Sequence, residues 1–217
     1  MKPLPVTVDD VRRAEAAIAG AVSPTPTIRA AALSDLAGCE VFLKLETLHP
    51  TGSFKERGAL NKLLTLDETQ RRAGVIAMSA GNHAQGVAYH ARRLGIPATI
   101  VMPSATPFTK IDRTEALGAK VVLQGESLVD ARHAADALSR ERGLVLVHPY
   151  DDPAVIAGQG TIALEMLAQC PDLDALLVPV GGGGLLSGCV VAATKSINFL
   201  TLSRSSSVFN SNSTPIP

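Results

Sequence analysis

Three loops in this 217-residue sequence combine residue types that could do chemistry. The first is Pro50-Thr51-Gly52-Ser53-Phe54-Lys55-Glu56-Arg57-Gly58, with Ser53 placed to cap a helix running to about Leu64. In the first turn of a helix the macrodipole disfavours a cation, so Lys55 gives up its proton more readily there. A deprotonated amine is what a Schiff-base nucleophile needs. Taken alone, the loop reads better as carrying a solvated surface lysine. The second loop, Ser79-Ala80-Gly81-Asn82-His83-Ala84-Gln85-Gly86, directly follows the strand-like run VIAM. Its small residues leave backbone amides free at a helix N-terminus, which suits a carboxylate or a phosphate. Asn82 adds a donor for a phenolate or carboxylate oxygen. His83 is expected to bond its neighbours at the helix start rather than to act as a catalyst.

The third loop is the tetrad Gly181, Gly182, Gly183 and Gly184, between ALLVPV and Leu185-Leu186-Ser187-Gly188. Consecutive glycines let several amides converge on one phosphate with no side chain in the way. The tetrad fits neither the P-loop nor G-x-G-x-x-G. Gly158-Gln159-Gly160 with Ala163 does match the G-x-G-x-x-A variant, the basis for a weaker nicotinamide-dependent reading. HPYDDP precedes it instead of a strand, so close helix packing is the better reading. One lysine, one anion loop with an asparagine and one phosphate cradle together match the needs of pyridoxal phosphate.

The elements around these loops alternate. Thr7 and Asp10 resemble a capping box for a first helix with Val8, Val11 and Ile18 on its apolar stripe. Apolar runs at 41–45, 75–78, 98–102, 121–123 and 144–147 read as strands. Between them lie helices that Gly95 and Gly118 end and that Thr106 and Ser127 start. Short apolar strands alternating with helices indicate an α/β fold with parallel sheets covered by helices on both faces. Ligands in such folds bind beyond the carboxyl ends of the strands, where the second and third loops fall.

Composition narrows the function. Hydrophobic residues make up 46% of the chain, and 20 basic residues balance 20 acidic ones. That is a globular composition with no electrostatic case for nucleic acid or an anionic membrane. Cys39, Cys170 and Cys189 are too few and too far apart for a disulfide framework or a metal site. No signal peptide is visible, so a cytoplasmic protein is expected. The stretch 175–194 carries no charge and is long enough to cross a bilayer, but its glycines argue against a membrane helix.

KLETLHPTGSFKERGA, SAGNHAQG and VPVGGGGLLSG resemble, in order and spacing, the signature segments of the threonine dehydratase and serine racemase family. The resemblance spans about 5–198 and implies a fold-type II pyridoxal-phosphate enzyme, similar to the tryptophan synthase β-chain. It implies that Lys55 carries the cofactor, that Phe54 packs beside its ring, and that Asn82 bonds its O3′. Gly181, Gly182, Gly183 and Gly184, with Leu185, would hold the phosphate. Ser79, Ala80, Gly81, Asn82 and His83 would bind the substrate carboxylate, largely through amides. The implied reaction is α,β-elimination from L-threonine, and from L-serine, giving a 2-oxo acid and ammonia. Serine racemases carry a serine where this sequence has Ala80, so elimination is favoured over racemisation. The alternatives are a catalytically inactive fragment, a serine racemase, or a β-replacement enzyme of the same fold.

The expected organisation is a larger domain from 1–73 and 150–198, with a small domain inserted at 74–149. Family members continue past the tetrad, so the larger domain reads as truncated. From Phe199 onward six serines, one charge and no glycine suggest an unstructured, unrelated tail at 199–217. Truncation is expected to leave a strand without its neighbour, and Leu185, Leu186, Val190 and Val191 without cover. The full-length form is expected to be a homo-oligomer acting on a small amino acid.

Overall fold

The computed structural model describes residues 6–193, 197–203 and 208–210. Helix α1 (Val8–Ile18) starts with the anticipated capping box of Thr7 and Asp10, and it buries Val11, Ala14 and Ile18. Weakly signalled elements follow, namely β1 (Thr27–Arg29), α2 (Ala31–Ala37) and β2 (Phe42–Lys44). β1 and β2 pair antiparallel, with Thr27 opposite Lys44. Helix α3 (Lys55–Leu64) takes Phe54, not Ser53, as its N-cap. Phe54 already has helical dihedrals, so the loop turns into the helix without a side-chain cap. Ser53 Oγ only accepts a long bond from the Lys55 amide, at 3.4 Å.

After α4 (Glu68–Ala73) come β3 (Val75–Met78), α5 (Asn82–Arg93), β4 (Ala98–Met102), α6 (Phe108–Ala116), β5 (Lys120–Leu123), α7 (Leu128–Arg142) and β6 (Val145–Leu146). Their strands form one parallel sheet in the order β5-β4-β3-β6. Ser79 and His148 therefore lie just beyond the carboxyl ends of neighbouring strands. The core of this region is not confined to it. Ala59 and Leu63 of α3 pack with Val75, Ala77, Val87 and Ile100.

The rest is α8 (Pro153–Gln169), β7 (Ala175–Val180), α9 (Gly184–Ala192), β8 (Asn198–Ser203) and β9 (Val208–Asn210). The uncharged stretch is thus a strand, a glycine loop and a short helix. Among the described residues no helix is long and apolar enough to cross a membrane.

Two expectations for this end of the chain are corrected. β7 does have a neighbour: β8 pairs with it in parallel, and β9 adds antiparallel to β8. The tail therefore contributes strands at 198–203 and 208–210, because backbone pairing needs no strong side-chain pattern. Alternate residues Ile197 and Phe199 also reach a second core, built with Val11, Ala14, Ala163, Leu176 and Val178, which gives β8 its register against β7. Residues 204–207 and 211–217 of the expected tail lie outside the described ones. Nor are the α9 side chains without cover. Leu185, Leu186 and Val191 pack against the second core, and Val190 remains 46% exposed.

Helix α8 is the axis against which α1, α3 and α9 pack, and glycines set how closely. A Cβ on Gly158 would lie 2.6 Å from the Cα of Gly58 on α3. One on Gly160 would lie 2.7 Å from the Gly188 carbonyl of α9. The apparent dinucleotide motif is therefore a pair of helix contacts, as its lack of a preceding strand suggested.

Buried charge fixes the same junction. Arg57, with 1% of its side chain exposed, uses all five N–H donors. Nε and Nη2 donate to Glu46 at 2.7 and 2.9 Å. Nη1 and Nη2 donate to Glu165 of α8 at 2.6 and 2.9 Å, and Nη1 also donates to Thr161 at 3.0 Å. Lys44 of β2 donates to the second Glu165 oxygen at 2.6 Å. Burial would raise the Glu46 carboxyl, but the bonds from His49 and Arg57 outweigh it and hold the group down at about 2.

Two outcomes follow for the folded chain. Gly160→Ala should lower stability by about 1–3 kcal/mol in urea unfolding, since overpacking outweighs the helix propensity gained. Arg57→Met should cost about 3–5 kcal/mol, because two carboxylates stay buried with their shared cation removed. A depressed carboxyl contributes stability above its unfolded value and loses it as pH falls through the folded one. Thermal midpoints should therefore hold above about pH 4.5 and fall between there and pH 2.

Candidate functional site

Lys55 is the first residue of α3, and its Nζ donates to the Pro149 carbonyl at 2.7 Å. The amine lies 5.3 Å from the centroid of the Phe54 ring. Burial pushes its basicity below that of an ordinary lysine. The structure thus adds desolvation to the helix-start effect expected from the sequence.

The second loop leads straight from β3 into α5, which begins at Asn82 with Gly81 as its N-cap. No side chain caps this helix; Ser79 Oγ accepts from the Gly81 amide at 3.2 Å. The first-turn amides of α5 are consequently left for a ligand. Ser79, Ala80 and Gly81 are half-buried, and Asn82 is exposed. The His83 ring points elsewhere. It is 3% exposed, and its Nε2 lies 2.9 Å from the Val147 carbonyl at the end of β6. Burial brings its basicity down to about 4, so the ring is neutral and Nε2 carries the proton that Val147 accepts. His83 offers this loop its backbone amide and ties the loop to β6 through its ring.

In the tetrad, alternate glycines face different ways. At Gly182 a Cβ would run into the Tyr150 ring, and at Gly184 it would lie 2.6 Å from the Tyr150 carbonyl. At Gly181 and Gly183 it would meet nothing within 4 Å. Gly183 is the left-handed N-cap of α9, at φ +86°, and no side chain caps that helix either. One side of the loop is packed on Tyr150, and the other is bare backbone. Leu185 follows inside the first turn of α9, half-buried against the second core.

The piece that joins the three loops was not singled out from the sequence as a site. It is the turn His148-Pro149-Tyr150-Asp151-Asp152. Pro149 holds Lys55, Tyr150 backs the tetrad, and Val147 just before the turn holds His83. His148 Nδ1 accepts from the Asp151 amide at 2.7 Å. Asp152 caps α8 through the Ala154 and Val155 amides and pairs with Lys62 of α3 at 2.7 Å. The signal that could have found it is its position: HPYDDP follows the carboxyl end of a strand, as the second loop does. Gly86 closes the assembly from the other side, since a Cβ there would lie 3.2 Å from the Lys55 carbonyl carbon. A separate crevice of about 410 Å³, lined by Asp10, Arg13, Asn61, Leu64 and Pro153 among others, lies at the far end of α3 from Lys55.

The residues brought together are an amine of lowered basicity, an uncapped helix start beside an asparagine, and a glycine cradle with an open side. That donor set fits a phosphorylated aldehyde: the amine for its carbonyl, the cradle for its phosphate.

Comparison with known proteins points the same way. Residues 18–202 match the family model described as pyridoxal-phosphate dependent enzyme. The L-threonine ammonia-lyase of Thermotoga maritima is 50% identical over 193 residues, covering 89% of this chain and 48% of that protein. A catabolic L-threonine dehydratase, TdcB, of Staphylococcus aureus strain USA300 is 48% identical over 194 residues, covering 89% of this chain and 56% of that protein. The structure of maize serine racemase superposes with a TM-score of 0.88 at 37% identity, covering 91% of this chain and 61% of that one. The chain spans about half the length of the curated relatives it matches. This chain therefore belongs to the family of pyridoxal-phosphate dependent enzymes and has its fold-type II architecture.

Proposed function

We propose that this chain is the cofactor-bearing part of an enzyme that deaminates L-threonine, and L-serine, to a 2-oxo acid and ammonia. The observation that carries the reading is the half-buried Lys55 amine, held at Pro149 in the same turn whose Tyr150 backs the glycine tetrad, with α5 left uncapped after the second loop. Lys55 with Phe54, Asn82, Gly181, Gly182, Gly183, Gly184 and Leu185 would hold pyridoxal phosphate. When bound, the cofactor supplies a sink for the electrons left at Cα once a proton departs.

The chain's own residues supply the rest. The α5 amides at Asn82 and His83, with Ser79 and Gly81 beside them, orient a carboxylate through the positive end of the helix. His83 stays neutral and adds no charge that would compete for it. A lysine of depressed basicity spends more of its time unprotonated than an ordinary lysine, which suits Nζ to take the Cα proton. A leaving β-hydroxyl then makes the reaction an elimination.

Ala80 supports elimination over racemisation, because a methyl group cannot return a proton from the opposite face. The names of the Thermotoga and Staphylococcus relatives support threonine as substrate. We propose as well that 74–149 forms a small domain inserted between 1–73 and 150–198, and that the full-length state is a homo-oligomer.

Sodium borohydride should trap pyridoxal phosphate on the peptide containing Lys55, seen by mass spectrometry, and Lys55→Ala should abolish the trapping. In a form completed by a relative's C-terminal half, Lys55→Ala should lower threonine deamination by at least about 10³-fold. Trapping on another lysine would assign the cofactor elsewhere. With L-serine the completed form should release far more pyruvate than D-serine. Equal rates on chiral chromatography would assign a second acid/base that Ala80 does not provide.

A further inference from the structure

We propose that Glu56 and His90 form a positioning pair that holds the Lys55 end of α3 against α5, and so sets the Lys55 amine relative to the Ser79–His83 loop. The inference rests on the proposed function only for what the Lys55 amine does. Where that amine sits is a property of the chain itself.

Three consecutive residues of α3 are captured in three directions. Lys55 reaches Pro149 and Arg57 reaches α8, while Glu56 reaches back to the loop and across to α5. Glu56 and His90 each have 1% of the side chain exposed. Glu56 Oε1 accepts the Thr51 amide at 2.6 Å, and Oε2 lies 3.4 Å from His90 Nε2.

An ionised carboxylate survives such burial only with partners. Burial works to raise the Glu56 carboxyl, but His90 and Thr51 outweigh it and keep the group in its charged form. Neither His90 nitrogen has a conventional hydrogen bond, so Glu56 is the polar group this ring is built to meet. The distance is longer than a charge-assisted bond, which leaves room for the contact to tighten when the amine is engaged.

The pair sits beside a close approach of the two helices. Gly86, four residues before His90, packs on the backbone of Lys55 and Glu56, and a Cβ there would lie 3.2–3.3 Å from it. An aliphatic pair would pack there as well, but it would impose no direction. A carboxylate shared between Thr51, before α3, and His90, on α5, sets both the height and the rotation of the first turn. Lys55 is the next residue along, and about 1 Å of misplacement at a reacting group can cost about a hundredfold in rate.

The test reads the Lys55 amine directly. Trace labelling with acetic anhydride across a pH range, resolved by peptide mass spectrometry, gives a midpoint for Lys55 against the exposed Lys110 and Lys120. His83 is a titratable group near enough to interact with the Lys55 amine, and it is unchanged in every variant. His90→Leu should raise the Lys55 midpoint toward that of Lys110, a loss of about tenfold in unprotonated amine. Glu56→Gln should move it the same way by about threefold, and the double variant should go no further than His90→Leu. His90→Gln keeps an N–H donor and should retain the parent midpoint.

A parent midpoint in Glu56→Gln overturns the proposal, and that variant decides should His90→Leu fail to fold. Additive shifts in the double variant overturn it too, because they would make the two residues independent. The labelling needs no cofactor, so absence of pyridoxal-phosphate trapping in the parent chain would count against the proposed function alone.

Discussion

Arg57 sits at the meeting point of α3, α8 and the segment before Lys55, with five donors satisfied and almost no contact with water. Its two carboxylates come from far apart in the chain, Glu46 from before the lysine loop and Glu165 from late in α8. Lys44 adds a second cation from β2. Replacing such a network with apolar side chains of equal volume often leaves stability unchanged or raises it, so stability alone does not explain it. What the network supplies is position. A guanidinium bonded in a plane on both sides restricts how α3 turns and slides against α8, and Lys55 is two residues away.

Glycine does the complementary work. Gly58 against Gly158, and Gly160 against Gly188, bring helix backbones together at distances no side chain would permit. The α8 axis is therefore held laterally by close approach and rotationally by charge. Around it the segment from Val147 to Asp152 collects the lysine, the histidine-bearing loop and the tetrad. The carbonyls of Val147 and Pro149 and the ring of Tyr150 do this, and none of them is the kind of group that a search for catalytic side chains would flag.

The electrostatics of the site follow from burial. The Lys55 amine is less basic because water is removed from it, and His83 is neutral for the same reason. A neutral imidazole donating to Val147 can fasten the anion loop to β6 without adding charge beside the bare α5 amides. The loop's attraction for an anion is then left to the helix amides and dipole.

How much of this was legible in the sequence follows from the range of each interaction. The parallel α/β class, the capping box at Thr7, the helix start at Ser127, the strand–loop–helix course of 175–192 and the three chemical loops depend on neighbours within a few residues. Spacing and residue type were enough for them. The helix start at Phe54, the pairing of β8 with β7 and the cover over Leu185 and Leu186 depend on contacts across the fold, and local reading missed them. The same holds for the buried charges. Glu46, Arg57 and Glu165 look in sequence like ordinary surface residues. Only folding shows that 108 positions separate an arginine from its carboxylate partner. Sequence alone named the amine, the asparagine loop and the glycines. The tertiary structure decided that a proline carbonyl and a tyrosine ring join them, because desolvation and direction exist only once the chain has closed on itself.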